Sequence, residues 1–375
     1  MTKLTHYGII GCGMMGQEHL KNIALLENTV IEAIYEPDAE MSKKASKFAP
    51  KAIFTNSVDE LLDINDIDCL VIVSPNFCHI DQLMQILDKR HIPILVEKPL
   101  FTNENDISKL KKFRDAYKSH VWVAMEYRYM PPIEALSEKI MQSTGEINML
   151  TIKEHRFPFL EKVNDWNRFN EFSGGTLVEK CCHFFDLMRL LIKSEPIRIM
   201  ASAGQSVNHL DETYDGKTPD IIDNAYVIVD FKNNVRAMLE LCMFAEGSRY
   251  QEEISAVGPI GKIEALVPGP GRFWPKHLGP APTPKLIISP RNPQGPIHED
   301  IIVDEKLLSA GDHNGSTFYQ HQKFLKLVRG DLKLPEVSLL DGWKAVAMGL
   351  AAQKSAKTGL AIDLQDETNY PIEQN

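Results

Sequence analysis

No apolar run in this chain is long enough to cross a bilayer, so it holds no candidate transmembrane helix. Its N-terminus lacks a basic stretch followed by an apolar one; it runs straight into strand-like sequence, and no signal peptide is expected. Positive charge is in deficit. The formal net charge is −10, which disfavours nucleic acid or an anionic membrane as a partner and favours solubility. Cysteine is scarce: Cys12, Cys69, Cys78, Cys181, Cys182 and Cys242, none at metal-type spacing and most inside apolar runs. Buried, reduced thiols in a cytoplasmic protein without a bound metal are the expectation. Internal repeats and low-complexity tracts are missing too. What is present is ordinary globular material, 43% hydrophobic and 25% charged, in a chain of 375 residues. That is too long for one ordinary core, so two domains are expected.

The first informative stretch runs from Tyr7 to Gly16. An apolar run from Leu4 to Ile10 reads as a short buried strand and breaks into Gly11-Cys12-Gly13-Met14-Met15-Gly16, followed by a helical pattern carrying His19, Leu20 and Ile23. In this G-x-G-x-x-G spacing Gly11 allows the turn, Gly13 lets a pyrophosphate approach the backbone, and Gly16 lets helix and strand pack closely. The N–H groups at the helix start then face the phosphates. Val30 to Tyr35 reads as a second strand ending at Glu36, where the dinucleotide fingerprint places an acid on the ribose hydroxyls. The next residues are Pro37 and Asp38, not arginine, so NAD is expected over NADP.

Strand and helix signals then alternate. Strands are expected at Asp68–Val73, Ile92–Val96 and Val121–Glu126, with helices near Asp59–Leu62, His79–Lys89 and Asn105–Tyr117. This rhythm implies a parallel doubly wound sheet, with ligands at the carboxyl ends of its strands. Ser74-Pro75-Asn76, Glu97-Lys98-Pro99 and Tyr127-Arg128 fall at those ends and are expected to border one crevice with the glycine loop and Glu36. After Arg128 the pattern changes. A helix near Ile133–Met141 precedes strand-like segments at Asn148–Phe157, Ile197–Ala203, Ala225–Phe231, Val235–Phe244, Gln251–Val257, Lys262–Val267, Lys285–Ser289 and Glu299–Val303. Short turns between several of them imply a mostly antiparallel sheet. Loops are expected over 206–220 and 268–284, and helices near Ser316–Val328 and Asp341–Lys354. The domains are therefore drawn at 1–127, a Rossmann domain, and 128–375, an α+β domain. The C-terminal helix is a candidate to pack back on the first.

Two stretches carry chemistry. Lys98, between Glu97 and Pro99, sits over the expected nicotinamide position, where a lysine can donate to a substrate alkoxide or act as a base. In Ser173-Gly174-Gly175-Thr176-Leu177-Val178-Glu179-Lys180-Cys181-Cys182-His183-Phe184-Phe185-Asp186, the spacing of Glu179, His183 and Asp186 predicts one shared helix face. An acid–histidine row on an apolar helix is expensive to bury unless paired, and a histidine so placed can serve as a base near neutrality. Taken alone, such a row is more often a satisfied core histidine with surface acids. Glu179 and His183 could also chelate zinc, but no third ligand is evident nearby.

Together these motifs resemble the Gfo/Idh/MocA family of sugar and inositol dehydrogenases over nearly the whole chain. The resemblance rests on the glycine loop with His19, Ser74-Pro75-Asn76 with His79, Glu97-Lys98-Pro99, Tyr127-Arg128-Tyr129-Met130-Pro131, and the Gly-Gly…His-Phe-Phe-Asp segment. It implies a Rossmann domain followed by an open-faced sheet domain, NAD(P) in the crevice, and Lys98 and His183 as catalytic residues. Glu179 stands where many members carry Asp, and Lys180 with Cys181-Cys182 departs from the common pattern. The expected reaction is reversible oxidation of a secondary hydroxyl of a sugar, inositol or polyol. His183 takes the proton, Glu179 orients it, and Lys98 polarises the alkoxide. Tyr127, Arg128, Trp166, Arg168 and His313 are candidate substrate contacts. Two other readings stand beside it: oxidoreductive glycoside cleavage, and a non-catalytic NAD-binding regulator, which the presence of Lys98 and His183 disfavours. An open apolar sheet face implies a homodimer or homotetramer.

Overall fold

A computed structural model describes residues 3–292 and 294–371. The chain divides into two compact units that are not continuous in sequence. The first holds residues up to Glu126 together with Glu161–Gly175 and Thr317–Val346; the second holds Tyr127–Leu160, Thr176–Ser316 and the stretch from Ala347 onward.

The first unit is built on a sheet of six strands among the described residues: β1 (Thr5–Ile10), β2 (Thr29–Tyr35), β3 (Ile53–Thr55), β4 (Cys69–Ile72), β5 (Ile94–Val96) and β6 (Val121–Val123). Their order is β3-β2-β1-β4-β5-β6, and every pairing is parallel. Helices link the strands, and β4, β5 and β6 are buried along their whole length, which is why they read as unbroken apolar runs. Two elements had no sequence signal: the helix Ala39–Ala45, capped by Asp38, and β3. β3 is three residues long and half open to solvent, with Ile53 51% exposed, too short to show a period. The strand expected to reach Glu126 stops at Val123, because the Met125 N–H turns back to the Val123 carbonyl at 2.8 Å and Glu126–Tyr129 forms a 3₁₀ turn.

Side-chain anchors explain why residues after 316 cluster here. The Thr317 hydroxyl lies 2.8 Å from Glu18 and 2.7 Å from Glu126. Arg329 donates to the Glu27 and Asn28 carbonyls, and the Val123 N–H donates to Val337.

The second unit carries nine strands among the described residues: β7 (Met149–His155), β8 (Pro196–Gly204), β9 (Asn224–Phe231), β10 (Arg236–Cys242), β11 (Glu252–Gly258), β12 (Gly261–Val267), β13 (Lys285–Pro290), β14 (Ile297–Asp300) and β15 (Ile362–Asp363). The order is β14-β13-β12-β11-β7-β10-β9-β8-β15. Pairing is antiparallel except between β7 and β10. The last of the expected strands lies two residues earlier than Glu299, and its pairing ends where Asp300 meets Lys285. Helices Pro131–Thr144 and Cys182–Ile192 pack on the sheet. Burial alternates residue by residue along β7, β10 and β12, as one covered and one open face requires. The open face is apolar in places: Met149 and Tyr226 are each 57% exposed, and Ile228, Met200 and Val257 join them.

Candidate active site

In the first unit the glycine loop joins the end of β1 to helix Met14–Ile23. Gly11 has φ +92°, and a Cβ there would sit 2.6 Å from the Ser74 nitrogen. A Cβ on Gly16 would sit 2.7 Å from the Gly11 carbonyl oxygen, so the helix start presses on the turn. Gly13 differs: a Cβ there would meet nothing within 4 Å. Structural need keeps two of the glycines small, whereas at the third there is open space before the helix N-terminus. Cys12 is fully buried, Met14 is exposed and Met15 half-buried. Glu36, at the end of β2, accepts from the Cys12 N–H at 2.5 Å and from the Asp38 N–H at 2.9 Å. Its carboxylate is thereby fixed beside the loop. A cradle with open backbone at Gly13 and a tethered acid at the neighbouring strand end fits the pyrophosphate and ribose of a dinucleotide.

Lys98 follows β5 and is half-buried; its backbone N–H donates to Glu97 Oε2 at 3.1 Å. Glu97 is buried, and its Oε1 lies 2.9 Å from His19 Nε2, while His19 Nδ1 lies 2.7 Å from His321 Nε2. His19 thus bridges the Glu97 carboxylate and the His321 ring. Burial alone would raise the Glu97 carboxyl; the His19 hydrogen bond and nearby positive charge outweigh it and hold the group below the usual range. Burial, then His19, push His321 well below the ordinary imidazole value, so it stays neutral.

The other sequence-predicted residues of this unit hold loops as well as border them. Asn76 is buried and donates through Nδ2 to the Ser173 carbonyl at 3.0 Å, tying the loop of Ser74 and Pro75 to the Gly174-Gly175 turn. His79 is expected at the cofactor, yet it has no exposed surface. Its nitrogens face the Pro99 carbonyl at 2.8 Å and the Ser74 carbonyl at 3.0 Å, so it stands behind the loops and sets their spacing. Trp166 is half-buried beside Phe77, with ring centroids 6.1 Å apart. Arg168 is buried, its Nη1 3.3 Å from Asn167 Oδ1.

In the second unit the expected single helix is broken. Thr176–Glu179 and Cys182–Ile192 are separate helices. The Lys180 N–H reaches Thr176 at 3.0 Å, and the Cys181 N–H reaches the same carbonyl at 3.2 Å, a wide turn that ends the 3.6-residue repeat. Glu179 and His183 therefore do not share a helix face by periodicity, although both are buried, 6% and 2% exposed. His183 stacks on Tyr127, with centroids 4.1 Å apart and planes 8° from parallel. His313 approaches the same phenol ring at 5.6 Å. Arg128 is engaged by Asp186 in a two-pronged ion pair, Nε to Oδ2 and Nη2 to Oδ1, both 2.5 Å. Asp186 thus holds two of the five N–H donors of this guanidinium.

Sequence reasoning missed the groups beneath this pair. Lys180 is 4% exposed; its ammonium lies 2.8 Å from Glu154 Oε1 and donates to the Tyr127 hydroxyl oxygen. Glu154 on β7 faces Glu252 on β11 in direct register, and both are buried. Burial, then the neighbouring Glu154 charge, push the Glu252 carboxyl up to about 7. Burial, then Arg156, push Lys180 down, against the pull of Glu154 and Glu252.

The raised Glu252 value has a measurable consequence. Between an unfolded carboxyl near its ordinary value and about 7, the folded chain holds the extra proton, so its stabilising contribution is present at low pH and lost as pH rises through about 7. Glu252→Gln removes that loss. Thermal melts at about pH 5 and about pH 8 should show wild type losing more Tm than the variant across the interval; equal losses would sink the assignment of the proton to this carboxyl.

A parallel Rossmann sheet with a dinucleotide cradle, followed by a mixed, mostly antiparallel sheet domain, defines a two-domain oxidoreductase. Residues 5–125 match an oxidoreductase family's NAD-binding Rossmann fold, and residues 138–364 match that family's C-terminal alpha/beta domain. The chain belongs to this family, Gfo/Idh/MocA, and NAD is its cofactor. Among curated relatives, glucose-6-phosphate 3-dehydrogenase of Bacillus subtilis is 26% identical over 61% of this chain, and the match spans 65% of that protein. Inositol 2-dehydrogenase 1 of Paenarthrobacter aurescens is 27% identical over 55% of this chain and 59% of that protein. The fold resembles that of levoglucosan dehydrogenase in complex with NADH and levoglucosan, at a TM-score of 0.77 and 18% identity, covering 96% of this chain and all of that one. No helix among the described residues is long and apolar enough to cross a membrane.

Proposed function

We propose that this protein is an NAD-dependent dehydrogenase that oxidises a secondary hydroxyl of a sugar, inositol or related polyol. The observation that carries the reading is Lys98. It stands after β5, at the same carboxyl end of the parallel sheet as the glycine loop and Glu36, where open α/β sheets bind ligands. The backbone around Gly13 and the N-terminus of helix Met14–Ile23 hold the pyrophosphate, and Glu36 accepts from the ribose hydroxyls. NAD, when bound, supplies the hydride acceptor. Lys98 donates to the substrate oxygen and stabilises its developing negative charge. His183, kept flat by Tyr127, takes the hydroxyl proton, and Glu179 is the carboxylate nearest to it in sequence on its N-terminal side. The inositol and sugar dehydrogenases among the relatives support the substrate class.

The test is a panel of myo-inositol, D-glucose, glucose 6-phosphate and levoglucosan, together with an aryl glycoside, assayed with NAD and with NADP for absorbance of the reduced cofactor and for aglycone release. NAD-dependent turnover of a free sugar or polyol is expected, with kcat/KM lower for NADP because Glu36 repels its 2′-phosphate. Aglycone release without net reduced cofactor would replace the reading with glycoside cleavage.

A homo-oligomer formed through the open sheet face is part of the same proposal. Met200, Ile228 and Met238 lie in one cross-strand row, and Met149 pairs with Val257, an apolar surface of the kind that marks interfaces. Light scattering should give at least twice the chain mass of 42.4 kDa; a monomer at working concentration refutes it.

A further inference from the structure

Lys180 takes no part in the reaction as written, yet its burial is costly. Removing an ammonium from water costs several kcal/mol, and apolar replacements are often tolerated at such sites. Its neighbours Cys181, Cys182 and Phe184 are apolar and fully buried, so a hydrophobic residue would suit the location better. What sets Lys180 apart is where its ammonium ends. One contact is Glu154 Oε1, at 2.8 Å; the other is the Tyr127 hydroxyl oxygen. Arg156 lies 3.5 Å from the same Glu154 oxygen, so that carboxylate is held from two sides.

Tyr127 is confined in turn. Phe184 meets its ring edge-on at 5.7 Å and 72°, and His183 covers it at 4.1 Å and 8°. An imidazole lying parallel to a second ring at this separation can tilt toward it or drop closer only if that ring gives way. The ring cannot move along its long axis without breaking the Lys180 contact, and Lys180 cannot withdraw without giving up its 2.8 Å ion pair with Glu154, which leaves that carboxylate only the longer contact to Arg156.

We propose that Lys180 is a positioning residue for His183, acting through Tyr127: anchored on Glu154, its ammonium pins the phenol oxygen and so fixes the plane and height of the imidazole. A base held in its productive orientation preserves the proximity term of catalysis, which a displacement of about 1 Å can erode a hundredfold. The inference rests on His183 being the base, and its test separates the two.

The first readout does not depend on turnover. Stacking over Tyr127 shifts the His183 ring-proton resonances, which are identified by their loss in His183→Asn. In Lys180→Met and in Tyr127→Phe these resonances should move toward the values of an unstacked histidine. Tyr127→Phe keeps the ring and disturbs no charge, so it covers the case in which Lys180→Met does not fold. The second readout is turnover of the fastest panel compound. Each variant should lower kcat roughly tenfold or more, the size of effect expected from a displaced catalytic group, with KM little changed. The double variant should be no worse than the poorer single one, because both act on the same contact. Unmoved resonances in Tyr127→Phe, or losses in kcat that multiply in the double variant, overturn the proposal. Lys180→Met that lowers Tm alone overturns it as well and leaves the lysine a stabilising residue. His183→Asn with wild-type kcat defeats instead the underlying assignment of the base.

Discussion

His183→Asn should cut kcat by about 10²–10⁴-fold, the usual contribution of a positioned general base, while NAD affinity and Tm stay close to wild type. Asparagine keeps a polar planar group in a site that is 2% exposed, so the change removes the basic ring without burying a charge. Lys98→Ala should cost at least as much, because it deletes the positive group proposed beside the alkoxide. The two differ in what they disturb. Lys98 is half-buried after β5, and its side chain can be shortened without opening the core. His183 is stacked on Tyr127, and its loss unloads that ring. Since dinucleotide affinity is assigned to the glycine loop and Glu36, titration of both variants with NAD should return the wild-type Kd. A Lys98→Ala enzyme with near wild-type kcat would falsify the mechanism.

Gly13→Glu should do the reverse. The site is open, so the added side chain needs no rearrangement, and Tm should be unchanged. NAD binding should weaken about a hundredfold or more, since a carboxylate placed at the proposed pyrophosphate position faces like charge and loses several kcal/mol of interaction. Gly11→Ala makes the contrast. Its Cβ would sit 2.6 Å from backbone at a φ of +92°, so it should lower Tm whether or not NAD is present. Equal Kd for Gly13→Glu and wild type, measured by intrinsic fluorescence, would show that the dinucleotide does not lie over this loop.

Much of the site could be read in the sequence because its signals are local. Gly11, Gly13, Gly16 and Glu36 lie within one strand–helix–strand unit, and Lys98 follows a short apolar strand directly. Glu179 fell out of the expected row with His183 and Asp186 because helical spacing assumes an unbroken repeat and the wide turn at Cys181 breaks it, whereas His183 and Asp186 stay together on Cys182–Ile192. Glu154 and Glu252 were legible and overlooked. Leu150, Ile152 and Glu154 share parity on β7, as do Glu252, Ile254 and Ala256 on β11, so alternation alone turns both acids inward. The chain from Glu97 through His19 to His321 was not legible: its partners stand 78 and 302 residues apart, and no local period connects them.

The place of β7 in the second sheet bears on how this half of the chain assembles. β8, β9 and β10 are neighbours in chain order and so are β11 to β14, with long loops between β8 and β9 and between β12 and β13, and β7 lies between β10 and β11. It precedes both in sequence, so its capture must close the whole stretch from His155 to Arg236 on one side and on to Glu252 on the other. Non-local closure of this kind is slow. Until β7 is seated, the chain carries two half-sheets, each ending in an unpaired strand on which another copy can template. Refolding yield is therefore expected to fall as protein concentration rises, because early β7 must be retained between two later strands.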